Sequence, residues 1–224
     1  MAQELGIIFL FDVDDTLLDN DRFKGDLGRY VLSTFGKEAN DRLWAIYEEE
    51  RVKHGYADFL GTLERFRLEH IHNQEVLRLA TWVVDYPFAD CLYPDALAVV
   101  RHVSQWGLPV ILTDGDGVFQ PHKLERSGLY GAFGGHVLNY VHKENELDAV
   151  QRAYPARHYV LIDDKLSLLN AVKRAWGNRV TTVFAKQGHY ANDAQAVAKE
   201  APADIAIAHI ADLMTHDFSA LAPA

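Results

Sequence analysis

The sequence has very little cysteine, since Cys91 is the only one among 224 residues. A single thiol cannot form an intrachain disulfide, and this usage is typical of proteins from a reducing compartment. The first residues, MAQELG, lack the basic region of a secretion signal, and the apolar run after them is too short for one. We therefore expect a cytoplasmic protein.

Long apolar runs and an excess of positive charge are also missing. No stretch is apolar for long enough to span a bilayer. The 22 Lys and Arg residues face 32 Asp and Glu residues, for a net charge of −10. This balance argues against a nucleic acid or an anionic membrane as the main partner. A small anion can still bind where a divalent cation reverses the local field. The sequence leaves the oligomeric state open.

Short apolar runs alternate along the chain with helix-like segments. The runs are continuous, which is typical of strands covered on both faces, as in a parallel sheet; they are GIIFLFDV, LPVILTDG, HVLNYV, HYVLIDD, RVTTVFA and ADIAIA. One helix is expected in PDALAVVRHVSQWG, closing at Gly107. The alternation predicts an α/β protein with a doubly wound, mainly parallel, Rossmann-like sheet.

Residues from about 17 to 86 depart from this alternation. They contain four amphipathic segments with helical spacing and none that reads as a strand; these are RFKGDLGRYVLSTFG, NDRLWAIYEEERVKHG, ADFLGTLERFRLEH and NQEVLRLATWVVDY. The simplest layout is an α-helical cap of residues 17–86 inserted into a core of residues 1–16 and 87–224.

Acidic and hydroxyl side chains recur where the predicted strands end. They are Asp12, Asp14, Thr113, Asp114, Asp163 and Asp164. Ligands of a parallel sheet collect outside the carboxyl ends of its strands. Like charges crowded at one edge repel each other unless a cation or a proton takes part, so we expect a ligand site here.

The four segments that carry these residues resemble the motifs of the haloacid dehalogenase-like hydrolases. DVDDTL matches the first motif, and VILTDG matches the second through Thr113. Lys143 in YVHKEN matches the isolated lysine of the third motif, and VLIDDK matches the acidic fourth motif. The order and the intervening lengths agree, so the resemblance covers nearly the whole chain.

The resemblance implies a phosphatase that uses Mg²⁺ and an aspartyl-phosphate intermediate. Asp12 would attack phosphorus, and Asp14 would protonate the leaving oxygen and then activate water. Lys143 would lower the repulsion between Asp12 and the phosphate. Thr113 and nearby groups at Asp114 and Gly115 would hold the phosphoryl oxygens. The implied metal ligands are Asp12, the main-chain carbonyl of Asp14, and Asp164 with or assisted by Asp163.

Some positions keep two interpretations. Lys123 and Lys165 compete with Lys143 for the lysine role, and we favour Lys143 for its position after an apolar strand. Asp15 and Asp19 are interpreted as loop polarity or helix caps rather than as further ligands. Asp114 replaces the asparagine common in this family.

The cap implies a small phosphorylated metabolite, because a closed cap excludes water and its residues select the leaving group. Candidate cap contacts are Arg22, Phe23, Arg51, His54, Arg65 and Arg67. Three alternatives stay open: a phosphotransferase such as a sugar-phosphate mutase, a 2-haloacid dehalogenase, and a non-catalytic binding protein on the same fold. Asp14 and the acidic pair argue against the dehalogenase.

Overall fold

A parallel sheet forms the centre of the molecule in the computed structural model, which describes residues 5–221. Its strands are β1 (Leu5–Phe11), β2 (Leu108–Asp114), β3 (Val137–Tyr140), β4 (Ala156–Asp163), β5 (Val180–Ala185) and β6 (Ile205–Ile207). Within this range the order is β3-β2-β1-β4-β5-β6, and every neighbouring pair is parallel. This is a doubly wound α/β order, so the predicted fold class is confirmed.

The strand β1 explains why the apolar runs are continuous. Phe9 and Phe11 pack into the apolar cluster on one face of the sheet, whereas Ile8 and Leu10 pack into the cluster on the other. All four side chains are fully buried. Because both faces of the sheet are covered, both alternating sets of side chains have to be apolar.

Helices connect the strands. Between β1 and β2 lie α1 (Asn20–Phe35), α2 (Lys37–His54), α3 (Phe59–Glu69), α4 (Glu75–Val84) and α5 (Ala96–Val103). Then come α6 (Phe119–Ser127), α7 (Leu129–Ala132), α8 (Leu147–Ala153), α9 (Leu166–Trp176), α10 (Gly188–Asn192) and α11 (Ala194–Val197). Helices α1–α4 occupy the segment expected to form the cap, and the domain boundaries given above stay a prediction. The described residues leave out 1–4 and 222–224. Both segments belong to the predicted core, and residues 1–4 also belong to the segment that argued against a secretion signal.

The four inserted helices share an apolar cluster with the sheet-bearing part of the chain. Phe119, the first residue of α6, joins them. Its ring centre lies 5.9 Å from that of Phe23 in α1, 5.6 Å from that of Phe59 in α3 and 5.8 Å from that of Phe88. These are normal distances for aromatic pairs. The contacts fix the inserted helices at the carboxyl ends of the strands.

The helix expected to close at Gly107 is shorter than predicted, because α5 ends at Val103. Gly107 instead allows the start of β2 to pack closely against β1. A Cβ atom at this position would lie 2.3 Å from the main-chain oxygen of Ile7. A side chain there would therefore force β1 and the start of β2 apart.

None of the helices within residues 5–221 has both the length and the apolar character needed to cross a membrane.

Candidate active site

The strand ends bring distant segments of the chain to one edge of the sheet. Asp12 directly follows β1, and its main-chain N–H donates to the oxygen of Ile162 in β4 at 3.0 Å. Thr113 lies near the end of β2, and Asp163 ends β4. Lys143 begins the short 3₁₀ helix after β3. Parallel strands end at the same edge, so these four side chains meet there although they are far apart in sequence.

Lys143 is enclosed by oxygen atoms of this edge. Its ammonium pairs with Asp12, lies 2.8 Å from Asp163 Oδ2 and donates to the main-chain oxygen of Leu112 at 3.1 Å. The side chain is only 1% exposed. Burial by itself lowers the pKa of Lys143, but Asp12, Asp163 and Asp114 outweigh it and raise that pKa. Lys143 is therefore held as a cation beside Asp12.

Asp12, Asp163 and Asp164 form a buried cluster with one carboxylate oxygen each, and these oxygens lie within 4.8 Å of one another. Neither oxygen of Asp164 has a hydrogen-bond partner among the described residues. Burial, together with Asp163 and Asp12, raises the pKa of Asp164 to about 9. Burial also raises the pKa of Asp12 to about 6, against the opposing effect of Lys143.

This donor set fits a divalent cation. Buried carboxylate oxygens without partners are costly, and hard oxygen ligands at such spacing are what Mg²⁺ prefers. A cation there would supply the missing partners of Asp164. The side chain of Asp14, in contrast, does not belong to this cluster.

Asp14 points instead at Lys123 in α6. The two carboxylate oxygens of Asp14 lie 2.7 and 2.9 Å from Lys123 Nζ. The same ammonium donates to Asn20 Oδ1 at 3.2 Å. Lys123 is 1% exposed, whereas the Asp14 side chain is 27% exposed. Lys123 is thus buried behind the partly exposed carboxylate of Asp14.

The second predicted segment, VILTDG, uses several of its polar groups for contacts within the protein. Thr113 is buried, and its Oγ1 accepts a hydrogen bond from Gln120 Nε2 at 2.9 Å. The Thr113 hydroxyl keeps its own proton to donate to a ligand. Asp114 Oδ1 accepts from the main-chain N–H of Lys143 at 2.8 Å, and burial raises the pKa of Asp114. The N–H of Gly115 donates to the oxygen of Tyr140 at 3.1 Å. The amide of Gly115 is thus used within the sheet, and substrate binding by Gly115 stays a prediction.

Asp15 and Asp19 cap α1, as one of their two interpretations required. Asp19 Oδ1 accepts from the N–H of Arg22 at 2.8 Å. Asp15 Oδ1 accepts from the N–H groups of Asn20 and Asp21 at 2.9 and 3.1 Å. Asp15 has a φ of 62°, a left-handed conformation that aspartate tolerates better than most residues. Burial, with Asp14 and Asp21, raises the pKa of Asp15 to about 7.

A cavity of about 420 Å³ opens over these residues. Its lining from the strand ends includes Asp12, Asp14, Thr113, Asp114 and Lys165. The inserted helices and the loop after α2 contribute Lys24, Tyr47, Arg51, Gly55, Tyr56 and Ala57, and α10 contributes Tyr190. The cavity is the space between the inserted helices and the sheet edge, and it is large enough for a small metabolite.

Of the six cap residues predicted as substrate contacts, Arg51 alone lines this cavity. Phe23 is buried among aromatic rings. Arg65 pairs with Glu49 and Glu50, and Arg67 pairs with Glu64. Arg22 donates to the main-chain oxygen of Asp90, and His54 faces Asp58 at 3.1 Å. The amphipathic spacing of these helices cannot tell which polar face turns toward the sheet.

Sequence reasoning assigned no site role to Gln120, Asn20 or Tyr190, and it considered Lys123 only as a rival of Lys143. One signal was available: Gln120 and Lys123 are three positions apart in the helix after Thr113, so they share one helix face. That face turns toward the carboxyl ends of the strands. Tyr190 gave no such signal, because α10 is only five residues long.

Comparison with known proteins supports the resemblance seen in the motifs. The family model of the haloacid dehalogenase-like hydrolases matches residues 8–165. No curated protein matches the chain. Among solved structures, a haloacid dehalogenase-like hydrolase from Burkholderia xenovorans LB400 is 48% identical, with a TM-score of 0.89 over 97% of this chain and 99% of that chain.

More distant structures share the fold. An L-2-haloacid dehalogenase from Xanthobacter autotrophicus is 14% identical, with a TM-score of 0.63 over 93% of this chain and 96% of that one. The magnesium-bound hydrolase YfnB from Bacillus subtilis is 16% identical, with a TM-score of 0.62 over 95% of this chain and 98% of that one.

The family match extends over more than half of the chain and includes the first, second and third motifs and the acidic pair. The protein belongs to the haloacid dehalogenase-like hydrolases.

Proposed function

We propose that the protein is a Mg²⁺-dependent phosphomonoester hydrolase that acts on a small phosphorylated metabolite through an aspartyl-phosphate intermediate. One observation carries the proposal: Asp12 pairs with the buried Lys143 and belongs to a buried acidic cluster, and the carboxylate of Asp14 lies at the same cavity. A nucleophile, a proton-transfer group and compensating charges are what phosphate-ester hydrolysis requires.

In the first step, an oxygen of Asp12 attacks phosphorus, and the bond from phosphorus to the ester oxygen breaks. The leaving oxygen takes a proton from Asp14. Lys143 reduces the repulsion between Asp12 and the phosphoryl group, because it holds positive charge beside the attacking oxygen. The hydroxyl of Thr113 donates to a phosphoryl oxygen.

In the second step, Asp14 accepts a proton from water, and the water oxygen attacks phosphorus. The bond from phosphorus to Asp12 breaks, which releases phosphate and restores the carboxylate of Asp12. A divalent cation held by Asp12, Asp163 and Asp164 would neutralise charge on the phosphoryl oxygens. The inserted helices α1–α4 act as a cap that limits access of bulk water to both steps.

The second candidate is a 2-haloacid dehalogenase, because the chain shares its fold with the dehalogenase from Xanthobacter autotrophicus. That reaction also uses the first aspartate as nucleophile. It does not need a second aspartate two positions later or a divalent cation. Asp14 and the orphaned oxygens of Asp164 favour the phosphatase. A phosphotransferase uses the same residues and differs in the acceptor of the phosphoryl group.

Release of phosphate from p-nitrophenyl phosphate and from a panel of phosphorylated metabolites tests the proposal. We expect turnover with Mg²⁺, loss of turnover with EDTA, and inactive Asp12→Asn and Asp14→Asn variants that still fold. Halide release from 2-chloropropionate is measured in parallel. Asp12→Asn abolishes either activity, whereas only a phosphatase should depend on Asp14. Halide release without phosphate release, or robust phosphatase activity in EDTA, contradicts the proposal.

A further inference from the structure

Lys143 is turned into the protein and does not line the cavity. Its ammonium donates hydrogen bonds to Asp12 and to the main-chain oxygen of Leu112, and Asp163 Oδ2 lies 2.8 Å away as an ion-pair partner. Lys143 therefore compensates charge within the protein, and its buried ammonium is enclosed by protein oxygens rather than open to a ligand.

Lys123 is occupied in the same way. Both oxygens of Asp14 and the side-chain oxygen of Asn20 lie within 3.2 Å of its ammonium. Its side chain is buried behind Asp14 rather than open to the cavity. With three acceptors around its ammonium, Lys123 has no donor to offer to a substrate.

Lys165 is different from both. It follows the acidic pair directly, lines the cavity and is half-buried. Among residues 5–221 its ammonium makes no ion pair and donates no hydrogen bond. The ammonium lies 4.6 Å from the centre of the Tyr190 ring. The face of an aromatic ring attracts a cation through its electron cloud and not through a hydrogen bond. The N–H donors of Lys165 therefore stay free for a ligand.

The position of Lys165 places a cation close to the reacting groups. Burial by itself lowers the pKa of Lys165, but Asp12 and Asp163 outweigh it and raise that pKa. The acidic side chains of Asp12, Asp163 and Asp164 outnumber the cation Lys143, so without a metal ion this site repels a phosphate dianion. The divalent cation of the proposed function would offset part of this charge, and Lys165 adds a cation whose N–H donors are free for a phosphoryl oxygen.

We propose that Lys165, seated on the ring of Tyr190, binds the anionic phosphoryl oxygens of the substrate and of the phosphate product. This assignment rests on the proposed function of the same cavity. Lys143 and Lys165 then have separate tasks: the first compensates the nucleophile and its acidic neighbour, and the second holds the ligand. Tyr190 positions Lys165 through its ring face, so the hydroxyl of Tyr190 is not required.

The test measures binding of inorganic phosphate by isothermal titration calorimetry, with and without Mg²⁺. Lys165→Met should weaken phosphate binding about tenfold or more, because a charge-assisted hydrogen bond is lost. Lys165→Arg should retain part of the affinity. Lys186→Met, at an exposed lysine, is the matched control and should bind phosphate like the wild type. Tyr190→Phe should leave the affinity unchanged, whereas Tyr190→Leu should reduce it.

Phosphate binding equal to the wild type in Lys165→Met, or no phosphate binding by the wild type, overturns the inference. Circular dichroism of each variant checks the fold, and Lys165→Gln replaces Lys165→Met if that variant does not fold. Failure of the proposed function can be distinguished from failure of the Lys165 assignment. If phosphate binding depends on Lys165 but no phosphomonoester is hydrolysed, Lys165 still marks an anion site. If hydrolysis occurs and Lys165→Met leaves the KM and the phosphate inhibition constant unchanged, the inference alone is wrong.

Discussion

Lys123 holds the carboxylate of Asp14 by both of its oxygens, at 2.7 and 2.9 Å, from a side chain that is 1% exposed. The two residues are 109 positions apart. A two-point contact of this kind fixes the direction in which a carboxylate faces. Asp14 therefore has one preferred orientation toward the cavity, set by a helix that follows a different strand.

We expect Lys123→Met to lower kcat with p-nitrophenyl phosphate by about 10- to 100-fold, because proton transfer depends on an oriented carboxylate. Methionine keeps the packing against the rings of Phe88 and Phe119, whose centres lie 5.8 and 5.9 Å from the ammonium. KM should change little, since Lys123 has no free donor for the substrate. The control Lys186→Met should match the wild type. An unchanged kcat in a folded Lys123→Met protein would show that Asp14 does not need this contact.

Replacement of Lys143 should be more harmful than replacement of Lys123. Lys143→Ala removes the only described cation that pairs with both Asp12 and Asp163. We expect its kcat/KM to lie at least about tenfold below that of Lys123→Ala, because the nucleophile then meets the phosphoryl group without compensation. Steady-state kinetics at saturating Mg²⁺ compares the two variants. Equal losses would remove the reason for assigning different roles to the two lysines.

The stability of the metal-free protein should depend on pH through Asp164. The pKa of this carboxyl is raised from 3.8 to about 9, by burial first and then by Asp163 and Asp12. A raised pKa stabilises the folded state fully below 3.8, and the contribution is lost as the pH rises through about 9. In EDTA we therefore expect Asp164 to lower Tm between about pH 4 and pH 9, with no further fall from this group above about pH 9.

Asp164→Asn should reduce this fall, because an amide does not titrate, and it should also reduce the rise in Tm on adding MgCl₂. Asp148→Asn, at an exposed position, is the control and should retain both effects. Differential scanning fluorimetry across the pH range provides the measurement. A wild-type Tm that rises over the same range in EDTA would contradict the burial argument.

The close approach of Gly188 to Asp15 predicts that alanine substitution lowers stability more at Gly188 than at Gly128. Gly188 has a φ of 68°, and a Cβ atom there would lie 2.3 Å from the Cβ atom of Asp15. Gly128 has a φ of 81° with nothing within 4 Å of such an atom. We expect Gly128→Ala to cost about 1 kcal/mol of unfolding free energy from left-handed strain, and Gly188→Ala to cost clearly more.

Gly188→Ala should also lower activity, because Asp15 and Tyr190 both line the cavity. Urea unfolding and turnover are measured for both alanine variants. Gly128→Ala reports the cost of left-handed backbone strain alone, and the additional loss in Gly188→Ala reports the clash with Asp15. Equal stability losses in the two proteins would indicate that Asp15 moves aside without cost.

Much of the fold was predictable because its signals are local. The apolar runs reappear as β1 to β6, and the four amphipathic segments reappear as α1 to α4. The end of α5 was not predictable, because Gly107 is both a helix stop signal and a residue that must approach Ile7 closely. Only the neighbouring strand distinguishes the two.

The sequence indicated which residues lie together at one edge of the sheet, but not the contacts that each of them makes. Asp12 and Lys143 follow strands, Thr113 and Asp163 lie at or near the ends of strands, and parallel topology is enough to bring strand ends together. The cap contacts were not predictable in the same way. Arg65 and Arg67 have the residue type that binds anions, yet they pair with glutamates on the surface of the inserted helices.

The sequence by itself determined the fold class, the family motifs and the edge of the sheet at which the acidic residues gather. Only the tertiary structure decided which lysine faces which carboxylate: Lys123 pairs with Asp14, Lys143 with Asp12 and Asp163, and Lys165 with the ring of Tyr190. The reason is physical. Lysine side chains are long and flexible, and their partners lie on other elements, so the pairing depends on how strands and helices pack and not on the spacing of residues along the chain.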